Sequence, residues 1–468
     1  MDIQFFGAAQ MVTGSKHIIT TPKGTKILLD CGLVQGHVQQ RDDLNRHFGF
    51  DPKGIDFLIL SHGHIDHSGL IPRLVKEGFN GLIFCTPATK SLCEIMLADS
   101  AHIQTADLKY VNKRRLKKDL VAIEPLYDLE DVEKALSLME ILDYEEELRI
   151  DGEIKLTFTD AGHLLGSACV NLDIKSTDNK RIKIAFSGDI GRYNDSILRD
   201  PQAFPQCDYL ICESTYGDRL HAVIGDAEKE LFSIITETCI TNKGKLIIPA
   251  FSVDRTQEII YLLDKAVNEG KMPNIKVFVD SPLSVKATDV MRKHQECYRE
   301  EFMEYVHKDP DPFGFKNLTY VSDLEMSKAL NSSEEPCIII SASGMAEAGR
   351  IKHHISNNIE NPNNTILFVG YCTPESLGGK LKNGEKLVRI FGEEYAVNAQ
   401  IKKLDYYSAH ADYEEILNWL SCQNPKKIKQ LFLVHGEIKT QDIFKKKLME
   451  KGFQNIQIPY MQEKFELL

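Results

Sequence analysis

Residues 61–67 read SHGHIDH, which places three histidines and an aspartate in one short segment. The segment directly follows the apolar run FLIL at 57–60, which is typical of a buried strand. Three further groups of the same residue types also follow apolar stretches: AGH at 161–163, SGD at 187–189 and VHGE at 434–437. Imidazole nitrogen and carboxylate oxygen are zinc ligands, and rigid sheets position such residues in the loops after their strands. The pattern therefore predicts a metal site.

The number of these residues indicates a site for two zinc ions, which need about seven ligand contacts when a position stays open for water. We predict that the first zinc is bound by His62, His64 and His163, and the second by Asp66, His67 and His435. Asp189 is predicted to bridge the two ions. Asp30, which ends the apolar run KILLD, is predicted to orient a metal-binding histidine, although a plain turn aspartate is the alternative.

Strand-like and helix-like segments alternate along the chain, which favours an α/β fold. Strands are predicted at 26–30, 57–61, 153–159, 181–189, 209–213, 245–251, 276–280, 337–341, 365–371 and 429–435. Apolar residues fall at helical spacing between Asp66 and Phe79, and again at 254–266 and 412–421. His62 and His64 are therefore expected in a strand-to-helix loop. Residues 296–325 are expected to form an irregular surface segment.

The composition is that of an ordinary globular protein, with 43% hydrophobic and 26% charged residues in a chain of 468. No apolar run approaches the roughly 18 residues of a membrane span. The acidic start MDIQFF is not typical of a signal peptide. The eleven cysteines include no CxxC pair, so most are expected to be buried thiols in a reducing cytoplasm.

The net charge of −12 argues against nucleic-acid binding by bulk electrostatics. A polyanion would have to be held by local features such as metals, helix N-termini or small basic patches. The clearest basic patch is KYVNKRRLKK at 109–118. A solvated helix face explains this run at least as well as a polyanion-binding patch does.

The spacing HxHxDH, with a later histidine, an aspartate and a final histidine, resembles the metallo-β-lactamase superfamily. Further segments resemble its β-CASP nuclease branch, which includes the endonuclease of the mRNA cleavage and polyadenylation factor and compact prokaryotic homologues. CESTYGDR at 212–219 is similar to the first motif of the branch, YSAHAD at 407–412 to the second and LVHGE at 433–437 to the third. The segments PAFSVDRTQEIIYLL, DSPLSVKAT, SASGMAEAGR and FVGYCTPESLGGKL are similar to its inserted domain.

The resemblance implies an αββα metallo-β-lactamase fold with an inserted α/β β-CASP domain. The metallo-β-lactamase domain would comprise residues 1–208 and 396–468, and the β-CASP domain would comprise residues 209–395. Histidines at 410 and 435 are similar to the branch that acts on RNA, because DNA-acting relatives tend to carry an aliphatic residue at the third motif.

The chemistry implied is hydrolysis of phosphodiester bonds in single-stranded RNA by a hydroxide that two metals activate. Asp66, Glu213 and His410 are the predicted catalytic residues. His410 is not needed for the metal count, and the resemblance pairs it with Glu213 as the general acid. Taken alone, either residue fits a structural role in a turn or cap equally well.

Phosphate-binding residues are less well defined by the sequence. Ser343 and Gly344 precede a segment with Arg350 that we expect to be helical, so backbone N–H groups there would suit an anion, although Gly344 also fits a simple turn. Similarity to the family adds Arg255, Tyr371, Lys380 and Ser408 as candidates.

Other functional classes compete with a ribonuclease. A small-molecule metallo-hydrolase would share SHGHIDH but would not need the inserted domain, Glu213 or His410. A scaffold without activity would normally have lost metal ligands, whereas every ligand position is filled here. A DNA nuclease of the same fold is the closest competitor. The predicted partner is single-stranded RNA, and no membrane partner is predicted. A homodimer is a candidate assembly, but the sequence leaves the oligomeric state open.

Overall fold

The predicted strands are present, and they sort into two units of the chain. A computed structural model of the protein describes residues 1–36, 41–176, 180–221, 227–404 and 408–468. The first compact unit comprises Met1–Leu220 and Ala409–Leu468, and the second comprises His221–Ser408. Within the described part of the chain, no helix combines the length and the apolar character that a membrane span requires.

Two sheets form the centre of the first unit. The strands of one sheet are ordered β22-β1-β2-β3-β4-β5-β6, namely Lys464–Glu466, Asp2–Phe5, His17–Thr20, Lys26–Leu29, Phe57–Ile59, Leu82–Cys85 and Met139–Ile141. The strands of the other are ordered β21-β20-β11-β10-β9-β8-β7, namely Ile456–Gln457, Gln430–Val434, Tyr209–Glu213, Arg181–Phe186, Ala168–Lys175, Ile154–Asp160 and Leu148–Ile150. The pairing of β10, β11 and β20 is parallel, so these strands end at the same edge of their sheet.

The two sheets pack face to face, because both contribute side chains to a single apolar core. Phe5 and Ile27 of the first sheet are buried in it together with Phe158 and Phe432 of the second. Because helices cover the outer faces as well, strands such as β4 are apolar on both sides and read as continuous apolar runs.

The helices lie on the outer faces of these sheets. Those between β3 and β6 are α1 (Arg41–Arg46), α2 (Ile65–Ser68), α3 (Ile71–Lys76), α4 (Pro87–Leu116) and α5 (Leu129–Ser137). Leu74 of α3, Leu97 of α4 and Val132 of α5 share a core with Leu58 of β4. On the second sheet, α13 (Tyr413–Trp419) and α14 (Ile438–Glu450) bury Trp419 and Phe444. The result is the predicted αββα arrangement.

The second unit contains a parallel sheet with the order β14-β13-β15-β12-β16-β19, namely Leu318–Tyr320, Lys276–Val279, Cys337–Ser341, Leu246–Pro249, Thr365–Phe368 and Gln400–Lys403. A separate hairpin joins β17 (Leu387–Ile390) and β18 (Glu393–Ala396). The helices are α6 (Ala227–Ile235), α7 (Arg255–Asn268), α8 (Pro282–Lys293), α9 (Glu300–Val306), α10 (Leu324–Ser332), α11 (Ile351–Asn358) and α12 (Leu377–Lys382). The predicted irregular surface segment at 296–325 is wrong in part, because it contains α9 and β14 and buries Phe302 and Phe313 completely.

The compact units divide slightly later in the chain than the predicted domain limits at 208/209 and 395/396. β11 pairs with β10 and β20 and thus belongs to a sheet of the first unit. β19 pairs with β16 and thus belongs to the sheet of the second unit. The cysteines follow the prediction, since all eleven are free thiols and all except Cys422 are buried.

Candidate metal centre

The SHGHIDH segment connects β4 to α2 as predicted. The loop after β4 contains His62 and His64. α2 begins at Ile65, so Asp66 and His67 occupy its first turn. The carbonyl of His64 accepts hydrogen bonds from the backbone N–H groups of His67 and Ser68 at 2.9 and 2.8 Å. This tight turn directs several side chains of a short segment toward one point.

Three more predicted ligands reach the same point from strand ends. His163 follows β8, Asp189 follows β10 and His435 directly follows β20. The structure brings together all seven predicted metal-binding side chains, in two groups whose candidate ligand atoms lie within 4.8 Å of one another: His62, His64, His163 and Asp189, and Asp66, His67 and His435.

Asp189 lies between the two groups, with one carboxylate oxygen facing each. Its Oδ2 atom is 3.5 Å from Nε2 of both His62 and His163. Its Oδ1 atom is 3.3 Å from Nε2 of His67 and 3.6 Å from Nε2 of His435. Oδ1 is fully buried and makes no hydrogen bond of normal geometry. A buried carboxylate oxygen surrounded by imidazole nitrogens is well suited to a cation.

Asp30 orients two of the histidines. The His67 ring donates from Nδ1 to Asp30 Oδ2 at 2.6 Å. The Ser61 hydroxyl donates to the same oxygen at 2.9 Å and lies 3.0 Å from Nδ1 of His62. Because an acceptor holds each Nδ1–H, Nε2 is left as the lone-pair nitrogen that faces the centre.

The remaining histidines are fixed in a similar way. His163 donates from Nδ1 to the carbonyl of Ala409 at 3.1 Å, and His435 donates from Nδ1 to Thr215 Oγ1 at 2.9 Å. His64 instead presents Nδ1, which is 3.1 Å from Nε2 of His163. Nitrogen atoms with lone pairs therefore converge from different elements. This donor set fits divalent metal ions, and zinc among them.

Burial favours the neutral, metal-binding form of three histidines of the cluster. Burial holds the pKa of His62 and of His163 well below the usual range and lowers the pKa of His64 to about 4. Burial would also lower the pKa of His67, but the carboxylates of Asp189 and Asp30 hold it well above the usual range. Three imidazoles are thus neutral as metal ligands must be, whereas His67 would have to give up the proton that its carboxylate neighbours favour when a metal ion binds.

Glu213 and His410 lie beside this cluster as a pair. Nδ1 of His410 is 3.3 Å from Glu213 Oε1 and 3.8 Å from Asp189 Oδ2. Glu213 is completely buried at the end of β11, whereas the His410 side chain is 21% exposed. The N–H of Ile190 donates to Glu213 Oε1 at 2.6 Å. Burial lowers the pKa of His410, but the two carboxylates outweigh it and raise the pKa to about 9.

His410 also lies close enough to the cluster to be considered as a metal ligand. A candidate ligand atom of His410 lies within 4.8 Å of those of Asp189, Glu213 and His435. The nitrogen that lies 3.8 Å from Asp189, however, is the one that faces the Glu213 carboxylate. A proton on this nitrogen is stabilised by Glu213, which favours an acid–base role over ligation.

Thr215 was missed by the sequence reasoning and links the two parts of the site. Its hydroxyl donates to Glu213 Oε2 at 2.6 Å and accepts from Nδ1 of His435. Gly32 was missed as well: a Cβ atom there would lie 1.5 Å from the carbonyl oxygen of Asp66. Both residues sit in segments that the sequence marked, two positions after Glu213 and Asp30, but neither is a metal ligand by type.

The six predicted substrate-binding residues all lie in the second unit, in several local settings. Ser343 follows β15, and its Oγ atom accepts hydrogen bonds from the N–H groups of Glu347 and Ala348 at 3.2 and 3.3 Å. A Cβ at Gly344 would lie 2.9 Å from the Phe251 ring, so the backbone packs closely there. The loop thus uses two of its N–H groups internally.

The other four candidates differ in exposure. Arg255 begins α7, is buried and forms an ion pair with Glu258 of the same helix. Tyr371 is 55% exposed. Lys380 is exposed on α12, and Ser408 is half-buried. Tyr371 and Lys380 are thus accessible to a ligand, whereas the guanidinium of Arg255 is held by a carboxylate.

Comparisons with known proteins agree with this architecture. Three family models match the chain: the metallo-beta-lactamase superfamily at residues 17–240, the Beta-Casp domain at 256–381 and the Zn-dependent metallo-hydrolase RNA specificity domain at 394–459. Ribonuclease TTHA0252 of Thermus thermophilus is 35% identical over 93% of both chains. An RNase J-like protein of Methanocaldococcus jannaschii is 31% identical over 93% of this chain and 92% of its own.

A third relative is longer than this chain. Transcription termination factor FttA of Methanosarcina mazei is 30% identical over 92% of this chain, which spans 66% of the length of that relative. The three family matches follow one another along the sequence in the order that the resemblance of the motifs implies. The chain belongs to the metallo-β-lactamase superfamily and, within it, to the β-CASP branch.

Proposed function

We propose that the protein is a zinc-dependent ribonuclease that hydrolyses phosphodiester bonds of single-stranded RNA. The observation that carries the proposal is the Glu213–His410 pair, which lies against the Asp189 carboxylate at the centre of the metal cluster. A small-molecule hydrolase would need the cluster but not this pair. Two relatives, a ribonuclease and an RNase J-like protein, support RNA as the substrate.

Two zinc ions would be held by the seven side chains named above, with Asp189 shared between them. The orphaned Oδ1 atom of Asp189 and the converging imidazole nitrogens support this assignment. Bound there, zinc would supply Lewis-acid chemistry: a water that is nucleophilic near neutral pH and charge neutralisation on the phosphate. The free thiols would stay reduced in the cytoplasm, which is the setting we propose.

The chain itself would supply the proton for the leaving oxygen. Glu213 stabilises the protonated ring of His410, and the Ile190 N–H fixes the carboxylate oxygen that faces it. His410 is partly exposed, so its ring can reach a substrate, while Glu213 is closed off from water. A protonated imidazole in this position can donate a proton to a ribose oxygen as its bond to phosphorus breaks.

The proposal is tested by incubating the protein with end-labelled single-stranded RNA and with DNA of the same sequence, with and without a chelator. We expect RNA to be cut faster than DNA, and the chelator to stop the reaction until zinc is restored. Products should carry a 5′-phosphate and a 3′-hydroxyl, because the 2′-hydroxyl does not attack. Equal rates on DNA, or 2′,3′-cyclic phosphate ends, would contradict the proposal.

The Thr215 hydroxyl is expected to strengthen metal binding, because it contacts both His435 and Glu213. Thr215→Val keeps the side-chain volume but removes the acceptor for His435 and the donor to Glu213. Loss of such a partner typically weakens metal binding about 10–100-fold. Thr215→Ser retains the hydroxyl and should bind zinc like the native protein. Zinc retention in a chelator titration measures this, and retention by Thr215→Val equal to that of native protein would count against the role.

A further inference from the structure

The C-terminal half of α4 contributes no buried side chain to the core of the first unit. Buried residues of this helix, such as Leu92, Leu97 and Ala101, all lie in its first half. From His102 onward the side chains are exposed or half-buried. This half and the residues that follow contain the basic run at 109–118, which the proposed active site does not use. We call its charged side chains the α4 basic tip: Lys109, Lys113, Arg114, Arg115, Lys117 and Lys118.

The α4 basic tip carries a strong excess of positive charge, and its flanking acidic residues are Asp107 and Asp119. Residues 109–118 include no acidic residue, in a chain with a net charge of −12. Among the described residues, no carboxylate forms an ion pair with any of the six basic side chains. Lys109 and Lys113, and also Lys113 and Lys117, are four residues apart, a spacing at which like charges destabilise a helix. A bound polyanion would relieve this repulsion.

Exposed aromatic and apolar side chains accompany the charges. Tyr110 is 59% exposed, Leu116 62% and Val121 83%. The guanidinium of Arg114 lies over the Tyr110 ring, 4.4 Å from its centroid. Basic residues that follow a phosphate backbone, together with an aromatic or guanidinium surface for bases, are the features by which proteins hold single-stranded nucleic acid.

α4 extends from the metal-binding loop, which it contacts at Leu92, to the basic tip. A Cβ atom at Gly63, between His62 and His64, would lie 3.1 Å from the Cβ of Leu92 on α4. At about 1.5 Å per residue, Lys109 lies roughly 25 Å and Leu116 roughly 36 Å along the helix from Leu92. At about 3.4 Å per nucleotide of a stacked strand, this is a distance of roughly 7–11 nucleotides.

We propose that the α4 basic tip binds the backbone of single-stranded RNA at a distance of several nucleotides from the bond that is cut. The inference rests on the proposed function and adds a second contact to the substrate of the same site. This second contact would increase the affinity for long RNA but not for short RNA, because a short strand in the active site does not reach the tip. RNA is favoured over a protein partner by the charge and by the Arg114–Tyr110 pair.

The test replaces four lysines of the tip by glutamine: Lys109, Lys113, Lys117 and Lys118. The matched control replaces four other exposed lysines of the same unit, Lys426, Lys427, Lys446 and Lys451, in the same way. Both variants and the native protein are given RNAs of about 30 and about 6 nucleotides, since even the shorter distance needs roughly 7. Binding is measured at several salt concentrations and cleavage is measured on the same preparations.

We expect the tip variant to bind the long RNA roughly tenfold more weakly and to lose up to about 3 from the slope of log affinity against log salt. Cleavage of the short RNA should equal that of native protein, and the control variant should behave as native with both RNAs. Native affinity and slope in the tip variant would show a solvated helix face and overturn the inference. Equal losses in the control variant, or on the short RNA, would overturn it as well.

Two further outcomes distinguish RNA binding at the tip from a failure of the active site and from a dimer contact. If the native protein cuts neither RNA, the proposed function fails, whereas native cleavage with an unaffected tip variant defeats only the present inference. The oligomeric state is measured by size-exclusion chromatography of native protein and tip variant. A native dimer that becomes a monomer in the tip variant would assign this surface to a second copy of the chain and overturn the RNA assignment.

Discussion

Asp189→Ala is expected to lose most of both metal ions and to reduce RNA cleavage by about 10³-fold or more. Asp189 is the side chain whose two carboxylate oxygens face different groups of imidazoles. Its removal leaves buried histidines around two sites with no shared negative charge to balance the cations. Since metal ions contribute several kcal/mol to transition-state stabilisation, their loss has an effect of this size.

The measurement is metal content per chain beside single-turnover cleavage. His163→Ala and His435→Ala should each weaken one site, so that they retain more metal than Asp189→Ala. Asp173→Ala is a suitable control, because Asp173 lies on β9 of the same sheet and forms only a partly exposed ion pair with Arg181. A native-like metal content in Asp189→Ala would contradict the bridging role. Unfolding of the variant is detected by comparing its circular dichroism spectrum with that of Asp173→Ala.

The ligand cluster could be predicted from the sequence because its residues lie in short segments that follow apolar strands. β10, β11 and β20 run parallel and end at one edge, so Asp189, Glu213 and His435 meet although more than two hundred positions separate the first from the last. The positions of the strands thus predicted which ligands meet, without knowledge of the tertiary contacts. The family resemblance added the pairing of Glu213 with His410, which residue types alone left open.

Apart from Asp30, the residues that act through the metal ligands could not be predicted in this way. Ser61 and Thr215 are ordinary hydroxyl residues by type, and only the fold places them against His62 and His435. Gly32 matters because the backbone of Asp66 passes close to it.

Burial was also hard to judge from the pattern. Phe302 and Phe313 are buried in a segment whose charges and prolines favoured a surface loop. Arg255, which similarity suggested as a contact to substrate, is buried and paired with Glu258 at the start of α7. Periodicity predicts which residues share a face, but it does not specify what covers that face.

His410 is the expected proton donor. His410→Ala should retain both metals and the fold, while RNA cleavage falls by about 10²–10⁴-fold, which is the usual contribution of a positioned acid. The departing ribose oxygen is a poor leaving group and needs a proton as its bond to phosphorus breaks. In a generic metallo-hydrolase, a histidine outside the ligand set would have little effect.

Glu213→Gln should produce a smaller loss of the same kind, because it removes the charge that stabilises the protonated ring but leaves the ring in place. His47→Ala serves as the control, because His47 is a surface histidine whose side chain is 74% exposed. Metal content and single-turnover cleavage are measured on the same preparations. If His410→Ala loses a metal ion, His410 is a ligand, as its distance to Asp189 would also permit. If it retains both ions and full activity, the proton comes from another group, and the Glu213–His410 pair no longer separates a nuclease from a small-molecule hydrolase.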